Sequence, residues 1–311
     1  MLLIFKKIGI IVLTLGINLY IVSLLNNKII ARTELRRGFR GHKRGGTGFP
    51  FSSSLKYISK DYRFSIWDII IFVFSLSMWA FLPISYNISL IESDFNLIAV
   101  IVIYVLIIIL RIFSVSCSNY GFIISDSLKR INQILSLMLP MFFCILSVAV
   151  LNSTLSFRTI INSQYRLWNI AYQPVGFIVF FISIVLQIKL LNLFDLNQFT
   201  FEDNILKEGE GISKLVHRFS GYMIIFFTII LFNTLYLGGW EKLYMIRGDI
   251  MVAIKFYVVL VLMMIFERSI SGINNETKII NLSYKILLPL SVFNLLLTII
   301  FYILRNVYSL V

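Results

Sequence analysis

Acidic side chains are scarce in this sequence. Its 311 residues hold 15 Asp and Glu against 28 Lys and Arg, and charged residues of either sign make up only 14%. A soluble domain carries roughly 25%, so a water-soluble globular fold is excluded. Cysteine is almost absent, and Cys117 and Cys144 do not have zinc or iron–sulfur spacing. The two histidines, His42 and His217, stand far apart with no partner motif. No nucleophile–base pair and no metal-ligand cluster can be read anywhere, so nothing supports bond-making chemistry by this chain alone. The glycines of GFRGHKRGGTGFP follow no strand and lead to no GK[ST], which excludes a phosphate-binding loop. No internal repeat of the inverted-repeat transporter type is seen.

What the chain has in abundance is long apolar runs. Hydrophobic residues make up 59%, and runs of about twenty, enough to cross a ~30 Å hydrocarbon core, recur throughout. The expected fold is an all-α polytopic membrane protein, one integral membrane domain over residues 1–311. Its eight spans are expected near 8–25, 66–84, 97–115, 131–151, 176–194, 219–237, 250–266 and 287–304. The alternating ten-residue segments of a transmembrane β-barrel do not occur. The first run follows Lys6 and Lys7 as a signal peptide would. LNNKIIAR offers no small-residue cleavage site after it, so it reads as a retained helix.

The net charge of +13 reads as membrane topology and not as nucleic-acid binding, because Lys and Arg concentrate in cytoplasmic loops. Ten of the 28 basic residues fall in the first loop, 26–64, and Arg111, Lys129 and Arg130 mark the third-to-fourth connection. That side is expected to be cytoplasmic, with both termini on the outer side. Trp168, Tyr172 and Trp240 fall near span ends, where amphipathic rings prefer to lie. Within the first loop, SSSLKYISK (52–60) suits a short helix in the membrane interface. Leu55, Ile58 and Phe51 form its apolar face and Lys56 and Lys60 its polar one. Lys189 and Lys255 interrupt apolar runs and Asp126 lies just ahead of the fourth span. Ionisable groups at such depth are candidates for a function or for snorkelling to the interface. A second cytoplasmic loop, 195–218, gathers Asp195, Glu202, Asp203, Glu208 and Glu210, five of the 15 acids.

Four stretches together resemble one family, the H-type membrane subunit (subunit 1 in mitochondria) of respiratory complex I, the NADH:quinone oxidoreductase. KIIARTELRRGFRGHKRGGTGFPFSSSLKYISKD (28–61) is similar to the family's basic, glycine-rich first loop, with Lys28, Arg32, Arg36, Gly38, Gly48, Pro50, Lys56 and Lys60 in register. FDL (194–196) with Glu202 and Glu210, then LYLGGW (235–240), resembles the family's Phe-Asp-Leu segment, its Glu-Tyr-Ser-Gly and the Leu-Gly-Gly-Trp that ends its long span. LKRINQILS (128–136) and KILLPLSVFN (285–294), with Arg268 ahead of the latter, complete the likeness.

The resemblance implies a membrane-arm, quinone-chamber subunit of a proton-translocating oxidoreductase, in a bacterial inner membrane or its organellar equivalent. Quinone is implied as substrate, with no metal or flavin bound by this chain. The implied partners are the other complex I subunits and the lipid bilayer, with no nucleic acid. Arg32, Arg36 and Lys56 would order the loop and line the quinone entrance. Glu202 and Glu210 would exchange protons, Asp195 would anchor the loop, and Asp203, Glu208 and Lys255 would extend the path. The sequence departs from the family where acids are expected, with Asn26, Ser53, Met138, Ile188, Gln198 and Thr200 in their places. The alternatives are a degenerate paralogue with a scaffold role, the anchor of a related hydrogenase- or antiporter-type complex, and an unrelated transporter.

Overall fold

In hydrocarbon a backbone N–H or C=O without a partner costs several kcal/mol, so long apolar runs fold as helices that satisfy themselves. The computed structural model describes residues 2–33, 35, 38, 47–59, 66–86, 88–116, 121–194, 212–242, 247–270 and 276–308. The membrane helices are α1 (Leu2–Thr33), α3 (Ile66–Phe81), α4 (Asn96–Ser116), α5 (Gly121–Asn152), α8 (Pro174–Leu190), α9 (Ile212–Tyr236), α10 (Gly248–Ser269) and a last rod. The rod joins α11 (Glu276–Leu282), a π-turn (Ser283–Leu287) and α12 (Leu288–Tyr308). Six of the eight are long and apolar enough to cross a bilayer, and α3 and α8 are shorter apolar helices of 16 and 17 residues. The protein is therefore an all-α polytopic membrane protein, and its described residues form eight apolar helices where eight were expected.

Two boundaries differ from the sequence reading because helices continue into polar residues. α1 runs through the first part of the basic loop to Thr33, and α9 takes up the last part of the acidic loop from Ile212. Two short helices, α6 (Phe157–Ser163) and α7 (Asn169–Tyr172), fold the connection ahead of α8, burying Phe157, Ile160 and Ile161. The expected interfacial helix is present as α2 (Phe49–Ile58). Its Phe51, Leu55 and Ile58 stand exposed together, as suits an apolar face turned to lipid.

α9 is the axis of the bundle. Of its membrane-spanning stretch, 83% is buried. Phe227 stacks on Tyr104 of α4 at 5.3 Å, and Phe232 meets Phe177 and Phe180 of α8 at 4.9 and 6.0 Å. α3 and α4 pack on one side of it, and α5, α8 and α12 form a second layer. Chain direction alternates, so the helix ends at Thr33, Ile66, Ser116, Gly121, Leu190, Ile212, Ser269 and Glu276 share one end of the bundle, the loop-bearing end. The start of α1 and the end of α12 lie at the other end. There Lys7 donates to the Ser89 carbonyl and Tyr172 packs on Phe301.

Two prolines interrupt the backbone pairing. Pro140 stands inside α5 and has no N–H to give the carbonyl four residues back, that of Ser136. The hydroxyl of buried Ser283 donates to this carbonyl. Pro289 likewise interrupts the last helix, which widens ahead of it into the π-turn, where the Leu288 N–H reaches back to the Ser283 carbonyl. At the other end, Asn294 of α12 accepts the Gly176 N–H in the first turn of α8 and donates to Ser147 of α5. A Cβ at Gly176 would come within 2.7 Å of that amide.

If Ser283 serves the carbonyl that Pro140 leaves open, Ser283→Ala costs about 1–3 kcal/mol in the native chain. In a Pro140→Ala background, where residue 140 supplies its own N–H, the loss is much smaller. Thermal unfolding of the four variants in detergent measures this coupling. Equal losses in both backgrounds would mean that the pairing does not hold the carbonyl.

Candidate functional site

The loop-bearing end of the bundle collects the polar residues that helix packing does not require. α1, α2, α3, α8 and α9 meet there. Buried Asn26 of α1 donates to the Phe194 carbonyl at 2.8 Å, tying α1 to the last described residue ahead of the acidic loop. Beyond that loop, Arg218 of α9 lies over the Tyr57 ring of α2 at 4.6 Å. The residues flanking the acidic loop are thus held against α1 and against the short helix within the basic loop.

Deeper at this end lies a cluster that the sequence reading missed. Asp68, in the first turn of α3, is only 1% exposed, and His217 Nε2 of α9 stands 3.4 Å from its Oδ1. Arg111 of α4, itself 4% exposed, donates from Nη1 to the His217 carbonyl at 2.9 Å and to Ser220 Oγ at 3.1 Å. Gly221 leaves the room for this guanidinium, since a Cβ there would sit 2.8 Å from Nη1. Two expectations are corrected. Arg111 is a buried residue of the bundle and not a loop charge, because its carbonyl and hydroxyl partners replace water. His217 has a partner after all, supplied by α3. The signals were available in the sequence, as an Asp three residues into one apolar run and an Arg inside another.

Of the residues singled out from sequence, Arg32 lies exposed in the last turn of α1, and Lys56 is exposed on α2, which packs against α1. Arg36, Asp195, Glu202, Asp203, Glu208 and Glu210 lie outside the described residues. At the substituted positions, Ile188 is buried in the apolar core and Met138 packs against it. Nearby, Tyr104 donates to Gln187 at 2.6 Å. Among the described residues the buried carboxylates are Asp68 and Glu267, the latter 3.2 Å from Arg268.

Two lysines within apolar runs cap helix ends. Lys189 donates to the Ile270 carbonyl beyond α10, and Arg130 to the Leu190 carbonyl of α8 at 2.7 Å. Lys255 lies at the opposite end of the bundle from His217. Leu237, just past α9, stands twenty positions after that histidine, about 30 Å of helix at 1.5 Å per residue. Lys255 is 6% exposed, and its ammonium donates to the carbonyls of Leu237 and Gly239 at 2.5 and 3.1 Å and lies 4.6 Å from the centre of the Trp168 ring. Cations at helix C-termini also meet the negative end of the dipole. Past α9, burial pushes the Glu241 carboxyl above its ordinary range, while Lys255 and Lys242 pull it back. The Leu-Gly-Gly-Trp turn has its own geometric cause. Gly238 and Gly239 have φ of +70° and +43°, and a Cβ on either would come within 2.9 Å of Trp168 or Ile161.

Lys255→Met would leave the Leu237 and Gly239 carbonyls without their ammonium donor in a dry site. The expected loss is about 1–3 kcal/mol, read as a lower unfolding temperature in detergent. An unchanged temperature would show that other donors serve those carbonyls.

Comparison with known proteins agrees with this architecture. A family model described as NADH dehydrogenase matches residues 6–299. The second H-type subunit of the NADH-quinone oxidoreductase of Rhizobium etli is 28% identical over 189 residues, covering 60% of this chain and 55% of that protein. The H-type subunit of the NADH-quinone oxidoreductase of Bacillus cytotoxicus is 27% identical over 186 residues, covering 58% and 55%. The chain thus spans just over half the length of the curated relatives it matches. The family match extends through all eight membrane helices, and the chain belongs to the NADH dehydrogenase family.

Proposed function

We propose that this chain is a membrane-arm subunit of a proton-translocating NADH:quinone oxidoreductase, and that its loop-bearing end forms the wall beside the quinone. The family match over residues 6–299 carries this reading. The meeting of α1, α2, α3, α8 and α9 at one end supports it, because the residues flanking the basic and acidic loops are held side by side there. That end is cytoplasmic by its basic charge, which puts the chain's two ends outside, in a bacterial inner membrane or its organellar equivalent.

In this reading quinone is the substrate. Arg32, Arg36 and Lys56 attract and orient its head group near the membrane surface, and α2 lies in the interface beside the entry path. Asp195 anchors the acidic loop. Glu202 and Glu210, with Asp203 and Glu208, supply carboxylates whose proton affinities rise when negative charge gathers beside them in a partly dry space. Flavin and iron–sulfur clusters belong to partner subunits of the hydrophilic arm, and neighbouring membrane subunits carry the proton onward.

The test is a native purification of the tagged chain from its own membranes. The expected result is co-purification of other oxidoreductase subunits with inhibitor-sensitive NADH:quinone reduction. The same subunits without activity would leave the chain a scaffold, and a nickel hydrogenase partner would reassign the complex. In an active complex, Glu202→Gln and Glu210→Gln are each expected to slow coupled turnover roughly tenfold or more. Unchanged reduction and unchanged proton pumping in either variant would remove that residue from the mechanism.

A further inference from the structure

Asp68 is buried where an isolated carboxylate is costly and persists only with partners. The imidazole of His217 on α9 faces it at 3.4 Å. Arg111 of α4 holds the backbone of that histidine through its carbonyl and bonds Ser220 one turn on. α9 also carries Arg218, which lies over Tyr57 of α2, while Lys56 of α2 is exposed. Aromatic contacts between Trp67 and Phe113 at 5.2 Å, and between Phe72 and Phe219 at 5.3 Å, surround the cluster with apolar rings. Structural pairing alone does not call for a histidine. A Lys or Arg would neutralise the carboxylate permanently, whereas imidazole is the side chain whose charge ordinarily changes between about pH 5 and 8.

We propose that Asp68 and His217 form a protonatable dyad, positioned by Arg111, that takes up and releases a proton at the loop-bearing end of the bundle. In the uptake step a proton adds to a ring nitrogen of neutral His217, and the resulting imidazolium presents Nε2–H to Asp68 Oδ1. In the release step the same N–H bond breaks and the ring returns to neutral. No other bond forms or breaks. Uptake raises the charge of the cluster by one, and release lowers it by one. Negative charge arriving at this end therefore draws the proton in, and its departure releases it. The dyad lies beneath both flanks of the acidic loop. Leu193, near the end of α8's chain, touches the Gly221 position, and His217 follows the start of α9 by five residues. The identity of the arriving charge as reduced quinone rests on the function proposed above; the dyad does not.

The chain has two histidines, so His42→Gln leaves His217 as its single imidazole. The full chain, carrying isotope-labelled histidine in phosphatidylglycerol–phosphatidylcholine nanodiscs, is titrated by NMR over about pH 5 to 9. The expected result is one titration whose midpoint differs between the native chain and Asp68→Asn. Where Asp68→Asn does not fold, Asp68→Glu is the second variant, and a moved midpoint supports the dyad. A ring that does not titrate, or a midpoint unmoved by the substitution at 68, overturns it. The measurement needs neither quinone nor partner subunits. Its failure leaves the proposed function intact, and an inactive complex leaves the dyad intact.

Discussion

The unpaired carbonyl is the constraint on which most of this structure depends. Hydrocarbon offers no donor, so every C=O released at a helix end or by a proline must find one inside the protein. Several of the buried polar side chains answer that need. Ser283 serves the carbonyl opened by Pro140, Gln164 and Asn169 serve Thr234 and Leu235 at the end of α9, and Lys255 serves the two carbonyls of the turn beyond. Lys189 and Arg130 do the same at the other end. The polar residues inside this oily bundle are therefore mainly backbone partners, and a charge at membrane depth is not by itself a sign of transport.

Against that background the two ends of the bundle differ in kind. One end is closed by amides, glycines and a capping lysine, with Gln164 accepting from the N–H groups of Asn169 and Gly238. The other holds Asp68, His217 and Arg111, where only part of the hydrogen-bonding capacity goes to backbone. The carboxylates that the family resemblance implies at Met138 and Ile188 are missing from the middle of the bundle, and apolar packing fills their places. The ionisable chemistry of the described residues is thus drawn toward the loop-bearing end.

The spans were legible because a run of about twenty apolar residues has one stable form in lipid. Their ends were not. Asn26–Thr33 and Ile212–Arg218 are polar enough to read as loop, yet they continue helices whose apolar parts nucleate them. α6 and α7 were illegible because their few buried residues, Phe157, Ile160, Ile161 and Asn169, are placed by contacts with the end of α9. The positions of Lys189 and Lys255 were visible as interruptions, but their carbonyl partners lie just past the ends of other helices, at Ile270 and Leu237. The Asp68–His217 pair was hidden for the same reason. It is formed by α3 and α9, whose neighbourhood no local spacing announces. The glycines of Leu-Gly-Gly-Trp carried a family likeness in sequence, and their positive φ values supply its physical cause.

The pairing of Ser283 with Ser136 has a consequence in time. The chain is made from its N-terminus, so α5 enters the membrane with the Ser136 carbonyl open well before Ser283 exists. Asn294, which joins Ser147 of α5 to the first turn of α8, comes later still. The middle of the protein is complete only when the last helix arrives. Until then α5 and α8 expose backbone groups that translocation machinery, chaperones or water must shield. A chain that ended before residue 283 would leave that carbonyl open.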